Sequence, residues 1–477
     1  MDTSLPLSKK VGYGLGHVLN DLCASMWFTY LLLFFHQILY FENTYAGVIL
    51  LVGQVADGVS TTIVGSLCDG DSQEGAWLCK RYGRRKSWHL VGTVCVLTSF
   101  PFLFMACLGC AKSEEWAQLI YYSAFAVVFQ FGWASVQISH LALIPCLTAC
   151  QNERTGLTAI RYGMTVMSNI TVYCIAWIVL GQGSEQSVGP QDLDKFRTIM
   201  FAVLAIGAIA SFGFHLTVTE EENSGSGYEE IQGEADLVRP MGMKDWFKEP
   251  QFFQVAGIYM STRLFVNLSQ AYIPLYLQES LELESKYVAI IPLVMYCSGF
   301  VTSFGMKVLN RVAGRKVSYI MGATVGLGAA IWVYWGDTLT YHWFKYTGIY
   351  FAAVMFGAAG CAVLVTSLSL TAELIGPNTE SAAFVYGAMS FTDKVSNGLA
   401  VMVIQDLIPC IKCCPLCKWY FRDVLFYATG SAAILGALFL LTFGKTKVGA
   451  RRRDRIGADN ERRGLLSGQV EEGPLYT

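Results

Sequence analysis

The sequence predicts an all-α membrane protein with twelve transmembrane helices, arranged as two six-helix halves around a pseudo-two-fold axis. Three observations predict this fold: 53% of the residues are hydrophobic, apolar runs of spanning length recur along the chain, and short motifs of the first half return in the second. Charged residues make up 15% of the 477 positions, against about 25% in soluble domains. A soluble globular protein is therefore excluded.

The apolar runs define the predicted spans. The first begins near Val11, and no small-residue cleavage site follows a short apolar core, so we expect an uncleaved helix rather than a signal peptide. The twelve runs cover residues 11–36, 44–67, 87–108, 116–146, 156–181, 197–217, 250–277, 285–309, 317–336, 342–375, 380–408 and 421–444. Several exceed the ~20 residues that a straight crossing needs, which predicts tilted helices.

The charges between the runs alternate along the chain. Most of the Lys and Arg lie in five segments: 9–10, 80–86, 152–154, 310–316 and 445–455. Because cytoplasmic loops carry the excess of Lys and Arg, both termini are expected in the cytoplasm. The predicted units are an N-terminal half (1–218), a cytoplasmic linker (219–248), a C-terminal half (249–444) and a disordered cytoplasmic tail (445–477).

Three short motifs recur in the same order in both halves. Gly83-Arg84-Arg85-Lys86-Ser87 corresponds to Gly314-Arg315-Lys316-Val317-Ser318, Ser139-His140-Leu141-Ala142-Leu143 to Thr366-Ser367-Leu368-Ser369-Leu370, and Tyr162-Gly163 to Tyr386-Gly387. The offsets run from 224 (Tyr162 to Tyr386) to 231 (Gly83 to Gly314). The shared order indicates a duplicated six-span unit.

Polar side chains are concentrated on six of the spans. The sets are His17, Asn20 and Asp21 in span 1; Gln54, Asp57 and Thr61 in span 2; Gln130, Trp133, Gln137 and His140 in span 4; Arg161, Thr165 and Asn169 in span 5; Arg263, Asn267 and Gln270 in span 7; and Asp393, Lys394 and Asn397 in span 11. Spans 3, 6, 9 and 12 have no interior acid, Arg or Lys, which predicts lipid-facing supports. An ionisable group in lipid costs ~2.5–3.5 kcal/mol, so the polar spans are expected to line the wet cavity of a transporter.

Alternatives remain open for several of these groups. Asp393 and Lys394 are adjacent and fit two different inter-helix salt bridges as well as one shared site. His17 and His140 fit hydrogen-bonded packing groups as well as proton carriers, and Arg263 fits a side chain that snorkels to the interface.

Enzymatic and nucleic-acid functions find no support. The sequence has no Gly-rich phosphate loop, no His-Glu-x-x-His and no Ser/His/Asp order, so we expect neither a catalytic site nor a cofactor. The basic runs are short and lie next to the membrane, which argues against nucleic acid as a partner.

Two groups of cysteines lie in loops that the topology places on the non-cytoplasmic side. They are Cys107-x-x-Cys110 and Cys410-x-x-Cys413-Cys414-x-x-Cys417. No His lies beside either group, so disulfides are favoured over a metal site.

The tail carries a candidate sorting signal. Glu461 followed by Leu465-Leu466 has the acid-x-x-x-Leu-Leu form that endolysosomal sorting adaptors recognise. Such adaptors are the protein partners we expect, beside the lipid bilayer.

Two six-span halves, with a basic loop after span 2 and a weaker copy after span 8, resemble the major facilitator superfamily. The loops are Gly65-Ser66-Leu67-Cys68-Asp69 with Gly83-Arg84-Arg85-Lys86, and a weaker copy at Gly314-Arg315-Lys316; residues 70–82 are inserted within the first. The resemblance implies transport by alternating access, with Asp69, Gly83, Arg84, Arg85, Gly314 and Arg315 in gating loops.

Within that superfamily the chain resembles the glycoside-pentoside-hexuronide cation symporters. The residues that carry this resemblance are Tyr13-Gly14-x-Gly16, Asn20-Asp21, Gln54-x-x-Asp57, Asn152-Glu153-Arg154 with Arg161, and Lys394. The branch implies that Asp21 and Arg161 recognise substrate and that Asp57, with Gln54 and Thr61, belongs to the coupling-ion site. Further acids of that site fall here on Thr61 and Gln137, so we expect proton coupling through Asp57 or His140, or no coupling, rather than sodium coupling.

Long blocks (19–33, 53–58, 129–135 and 383–387) also resemble lysosomal and melanosomal cysteine transporters of the superfamily. This resemblance implies cysteine movement from the cytosol into the organelle lumen and an effect on pigmentation. Asp21 would bind the substrate ammonium and Arg161 its carboxylate. The other expected substrate-binding residues are His17, Asn20, Gln137, His140, Arg263, Asn267, Asp393 and Lys394. The alternatives are a cation-coupled symporter of a sugar or lysolipid, and a non-transporting scaffold or sensor.

Overall fold

The computed structural model describes residues 5–69, 82–110, 112–148, 150–182, 187–220, 243–339, 341–375, 381–409 and 417–443. Within these ranges the chain forms twelve long helical spans. They are, in order, Leu7–Ile38, Asn43–Asp69, Arg84–Leu103, Glu115–Ala142, Gln151–Leu180, Leu193–Thr217, Pro250–Leu275, Tyr287–Val312, Arg315–Leu339, Phe344–Ile375, Ala382–Asp406 and Trp419–Thr442. Each predicted span is present, and most ends differ from the prediction by a few residues.

Nine of these described helices are long and apolar enough to cross a membrane by length and composition alone. The other three are spans 3, 7 and 11. Span 3 opens with Arg84-Arg85-Lys86, and spans 7 and 11 carry Arg263, Asp393 and Lys394 in their interiors. In spans 7 and 11 these charged residues are among those from which we infer a wet interior, whereas those of span 3 belong to the basic loop.

Span 1 is broken in its first half, which the apolar pattern did not indicate. Helix Leu7–Leu15 ends at Gly16, and a second helix, Val18–Leu33, follows after His17. A Cβ atom at Gly16 would lie 2.6 Å from the ring of Phe214 and 2.8 Å from that of His140, so only glycine allows this approach. The break leaves backbone carbonyls without helical partners and places His17 at its corner.

The two described ends of the bundle, Leu7 and Thr442, lie on one face because the number of spans is even. We call this the terminal face and the opposite one the loop face. The two halves contact each other through spans 1 and 7, 2 and 11, and 5 and 8. Each of these pairs joins one helix of the first half to one of the second.

The contacts between the halves close the loop face. Gln37 donates to Glu279, the Val188 amide donates to Gln278 Oε1 (2.6 Å), and Ser285 donates to the Leu180 carbonyl (3.2 Å). Among described residues, the hydrogen bonds and ion pairs between halves extend from this face to the level of Asp57 and Lys394. Polar groups in the middle of the bundle are therefore separated from the loop face by packed side chains.

Spans 3, 6, 9 and 12 present large apolar side chains outward, including Val94, Ile209, Trp335 and Leu441. Spans 3 and 6 nevertheless bury polar groups on their inner faces, His89, Thr93 and Ser211. The inner surfaces of these spans are therefore not purely apolar, and the helix of span 3 also includes the buried Lys86 near its start.

The loops show two further features. Cys107 and Cys110 form a disulfide, and Cys417 is also disulfide-bonded; Cys410, Cys413 and Cys414 lie outside the described residues. At the end of the predicted linker, Trp246 in the short helix Met243–Trp246 is fully buried. This end of the linker is therefore packed against the bundle.

Candidate functional site

An acid and a base meet across one imidazole in the interior of the first half. His17 Nδ1 lies 3.0 Å from Asp21 Oδ2, and Arg161 donates from Nη2 to His17 Nε2 at 3.0 Å. A guanidinium only donates, so Nε2 is the acceptor and a neutral His17 carries its proton on Nδ1, facing the carboxylate. Thr165 also donates to Asp21, at 2.9 Å. Spans 1 and 5 thus hold Asp21 and Arg161 apart by a neutral ring.

Several polar atoms around this cluster lack partners. Asn20 donates from Nδ2 to the Trp133 carbonyl at 2.8 Å. Among described residues, no hydrogen-bond partner reaches Asn20 Oδ1, Gln137 Oε1, Trp133 Nε1 or Arg161 Nε, all of which are buried, and His17 Nδ1 is close to Asp21 Oδ2 without hydrogen-bond geometry. Buried polar atoms are nearly always paired, so two acceptors and two donors in one region are suited to a bound ligand.

The second cluster joins the two halves at span 2. Lys394 Nζ lies 2.6 Å from Asp57 Oδ1 and donates to Thr61 at 3.0 Å, while Thr61 donates to Asp57 at 3.2 Å. The ammonium also lies 5.5 Å from the centre of the Trp133 ring. The predicted coupling-ion residues Asp57 and Thr61 therefore surround the cation of Lys394. Gln54 is buried on the same span, one turn away.

The third cluster lies within the second half. Arg263 donates from Nε to Asp393 Oδ2 at 2.8 Å, and Asn397 donates to Asp393 Oδ1 at 2.6 Å. Asp393 and Lys394 thus serve different inter-helix ion pairs, as one of the alternatives had it. Arg263 is held in the interior by Asp393 and does not snorkel to the interface. Asn267 is buried on the same span.

His140 packs against the break in span 1. Its Nε2 donates to the Tyr13 carbonyl at 2.7 Å, Tyr13 Oη donates to the His140 carbonyl at 3.2 Å, and the two rings stack with centroids 4.1 Å apart. His140 is thus hydrogen-bonded and stacked at the break, which is compatible with both of its alternatives. Its ring lies 5.6 Å from that of His17.

The two predicted gating loops have the same local geometry. Gly83 (φ 96°) and Gly314 (φ 82°) both adopt the left-handed conformation that favours glycine. Lys86, three residues after Gly83, donates to the His215 carbonyl at the end of span 6, and Lys316, two residues after Gly314, donates to the Phe443 carbonyl at the end of span 12. The duplication read from the sequence is thus visible as a repeated anchor.

The arginines of these loops are also bound. Arg84 donates to the Leu67 carbonyl at 2.8 Å, and Arg85 pairs with Glu220 at 3.3 Å. Arg315 pairs with Glu373 of span 10. Asp69 ends span 2, and its side chain lies outside the described residues, as do Glu461, Leu465 and Leu466 of the candidate sorting signal.

Sequence reasoning missed His89, His215, Tyr82 and Glu220. His89 and His215 are on spans assigned as apolar supports, and Glu220 falls at the start of the predicted linker. Glu220 accepts from the backbone amides of Arg85 and Lys86 at 3.0 and 3.1 Å, and so caps span 3. The signal available in the sequence was a histidine near the terminal-face end of spans 3 and 6.

No metal site is seen in the described part of the chain, where no three His, Cys, Asp or Glu side chains converge. The ionisable clusters instead pair acids with bases on facing helices. Such pairs suit recognition of a small charged molecule and conformational change, because they can be exchanged between helices.

Comparison with known proteins places this geometry in a family. The family model described as "MFS/sugar transport protein" matches residues 12–411. The chain is 48% identical to Major facilitator superfamily domain-containing protein 12 of Mus musculus, covering 94% of this chain and 96% of the relative, and 48% identical to the Homo sapiens protein of that name over the same shares.

Solved transporter structures share the fold. The nucleoside transporter NupG superposes with a TM-score of 0.64 at 12% identity, covering 92% of this chain and 100% of NupG. A D-xylose-proton symporter superposes with a TM-score of 0.63 at 15% identity, covering 93% and 97%. The fold, the family match and the relatives at 48% identity together show that the chain belongs to the major facilitator superfamily of multi-pass membrane transporters, in its MFS/sugar transport protein family.

Proposed function

We propose that this protein carries cysteine by alternating access from the cytosol into the lumen of lysosomes and melanosomes, and thereby affects pigmentation. The observation that carries the proposal is the arrangement of Asp21 and Arg161 on either side of His17, beside buried polar atoms without partners. A zwitterion needs an acid for its ammonium and a base for its carboxylate, and this cluster supplies both.

The atoms without partners support a particular binding pose for the substrate. The substrate carboxylate binds Arg161, whose Nε has no described partner and which, within the described residues, has no carboxylate within ion-pair distance. The ammonium binds Asp21 and the free oxygens Asn20 Oδ1 and Gln137 Oε1. The other cations of the interior, Lys394 and Arg263, already hold Asp57 and Asp393, so Arg161 is the one best suited to an anionic group.

The proposed direction of transport follows from the distribution of Lys and Arg and from the closure of the loop face. The distribution of Lys and Arg favours a cytosolic terminal face, and the contacts described here close the loop face. In this arrangement substrate approaches from the cytosolic side. Release into the lumen then requires the contacts of Gln37 with Glu279 and of Lys394 with Asp57 to break while others form near the terminal face.

The deciding experiment is uptake of labelled cysteine into organelles from cells with and without the protein, at two lumenal pH values. We expect uptake that depends on the protein. Counterflow of labelled cysteine against unlabelled sugars and lysolipids, with and without sodium, separates cysteine transport from cation-coupled transport of those substrates. Protein-independent cysteine uptake together with sugar or lysolipid counterflow contradicts the proposal.

A further inference from the structure

A series of histidines runs from the break in span 1 to the terminal face. The sequence has 6 histidines, and four of them, His17, His140, His89 and His215, follow one another with ring centroids 5.6, 6.1 and 4.9 Å apart. His17, His140 and His89 are buried. The series therefore joins the Asp21–Arg161 cluster to the loop that precedes span 3.

The outer part of the series is continuously hydrogen-bonded. His89 Nε2 lies 2.8 Å from the Gly16 carbonyl, which only accepts, so this nitrogen carries the proton. A neutral His89 then accepts at Nδ1 from His215 Nε2 (3.1 Å), and His215 accepts at Nδ1 from the Tyr82 hydroxyl (2.8 Å). Burial raises the pKa of Tyr82 above its usual range, which keeps the hydroxyl protonated. Every donor in this part points inward.

The inner part contains a free acceptor. His140 donates from Nε2 to the Tyr13 carbonyl, so its Nδ1 is unprotonated, and this buried nitrogen has no partner among the described residues. His140 lies between His89 and His17. His17 itself has its Nε2 lone pair held by Arg161. The inner end thus has one free acceptor, His140 Nδ1, and a second, His17 Nε2, that would become free if Arg161 moved away.

We propose that Tyr82, His215, His89 and His140 form a proton path between solvent at the terminal face and His17, separate from the proposed substrate contacts of Asp21, Asn20, Gln137 and Arg161. The inference rests on the proposed function and names its coupling ion. In one passage, solvent gives a proton to the Tyr82 oxygen as its hydroxyl proton moves to His215 Nδ1. The Nε2 proton of His215 moves to His89 Nδ1. The His89 ring, which is not hydrogen-bonded to His140, then turns from the Gly16 carbonyl and passes its Nε2 proton to His140 Nδ1. The Nε2 proton of His140 passes to His17 on ring rotation, so one proton enters and one arrives.

The same geometry couples the proton to the substrate. A carboxylate that draws Arg161 away frees His17 Nε2 to accept a proton, and its negative charge stabilises the imidazolium. Bound carboxylate and proton therefore strengthen each other's binding and move together. Because the path approaches His17 from the side of His140, the proton can reach His17 while substrate is bound at Asp21 and Arg161.

The charged groups around the histidine series favour transfer of a proton along it over a lasting positive charge on one of its rings. The charged and titratable groups that face the series are Lys86 and Arg85 from span 3, Glu220 after span 6, Tyr13 and Asp21 from span 1, and Arg161 from span 5. Lys86 Nζ lies 4.3 Å from the Tyr82 ring centre and binds the His215 carbonyl, so a lasting positive charge on His215 is disfavoured.

The test compares two assays on purified full-length protein in liposomes. Exchange of labelled for unlabelled cysteine requires no net proton movement, whereas accumulation driven by a pH gradient does. We expect His89→Gln and Tyr82→Phe to lower gradient-driven accumulation at least tenfold, while exchange stays within twofold of wild type. His342→Gln is the matched control, because His342 is an exposed histidine far along the second half, and it should leave both assays unchanged.

The outcomes separate this inference from the proposed function. Wild-type protein that exchanges no cysteine overturns the proposed function and the path with it. Wild-type exchange combined with undiminished gradient-driven accumulation in both variants overturns the path alone. Equal loss of exchange and accumulation, in variants that remain monodisperse, shows a structural role for these residues and also overturns the path.

Discussion

At the scale of single residues, the interior charges divide into those that hold the protein together and those left available to a ligand. Lys394 with Asp57 and Arg263 with Asp393 are direct ion pairs at 2.6 and 2.8 Å. Asp21 and Arg161 instead meet only through neutral His17. This difference could not be read from the sequence, because it depends on which helix faces which.

Substitution of either member of the Asp21–Arg161 cluster should abolish cysteine uptake. A hydrogen bond to a charged group contributes about 1.5–3 kcal/mol, so Asp21→Ala or Arg161→Ala should weaken substrate binding about 10- to 150-fold. The measurement is uptake into isolated organelles, with localisation of each variant checked by microscopy. Wild-type uptake by correctly sorted variants would show that the cluster does not bind substrate.

Removal of Lys394 should destabilise the protein through Asp57. Lys394→Met leaves the buried Asp57 carboxylate without its cation, at a cost of about 3–5 kcal/mol, whereas Lys394→Met with Asp57→Asn removes both charges and should recover most of the loss. Thermal unfolding in detergent measures all three variants. Equal destabilisation by the single and double substitutions would mean that the pair contributes little.

Uptake should also be independent of sodium, because the ammonium of Lys394 already lies between Asp57 and Thr61. Replacing external sodium by choline should leave the initial rate of cysteine uptake unchanged. A rate that falls in choline and is restored by sodium would show that sodium displaces Lys394 from this site.

At the scale of elements, the two basic loops are copies of one anchor with different surroundings. In both, a glycine with positive φ precedes a lysine that binds the last carbonyls of a support span. In the first loop the glycine packs against Glu220. A Cβ atom at Gly83 would lie 2.8 Å from Glu220 Cβ, whereas one at Gly314 would meet nothing within 4 Å.

This asymmetry predicts unequal effects of matched substitutions. Gly314→Ala should cost only the backbone strain of a left-handed residue, about 1–2 kcal/mol, while Gly83→Ala should cost more because it also displaces Glu220 from the start of span 3. Unfolding temperatures of the two variants give the comparison. If Gly314→Ala proves the more damaging, the repeated loop is not anchored as described.

At the scale of the whole molecule, the packing of spans 2 and 11 decides which face is closed. A Cβ atom at Gly47 would lie 2.9 Å from Met402 Cα, and one at Gly398 would lie 3.1 Å from Leu51 Cα. Backbone atoms cannot yield as a flexible side chain does, so these two glycines permit the closed loop face.

A large side chain at either of these glycine positions should open the loop face. Gly398→Leu is expected to increase the distance between spin labels at Tyr40 and Leu407, which are exposed on that face of opposite halves, and to slow uptake severalfold. Gly163→Leu is the control, because nothing lies within 4 Å of a Cβ atom there. An unchanged label distance in Gly398→Leu would show that this contact does not set the closed state.

The class, the number of spans and their two halves could be predicted from the amino-acid sequence, because crossing a bilayer requires long apolar helices and burying charge is costly enough to mark the inward-facing spans. It also indicated Asp21, Arg161, Asp57 and Lys394 as interior groups. Their pairing required the three-dimensional arrangement of the helices, because a helix face shows which residues point inward and not which helix they meet. The break at Gly16–His17 and the series of histidine rings through His89 and His215 likewise depend on packing, since both need close approach between spans 1, 3, 4 and 6.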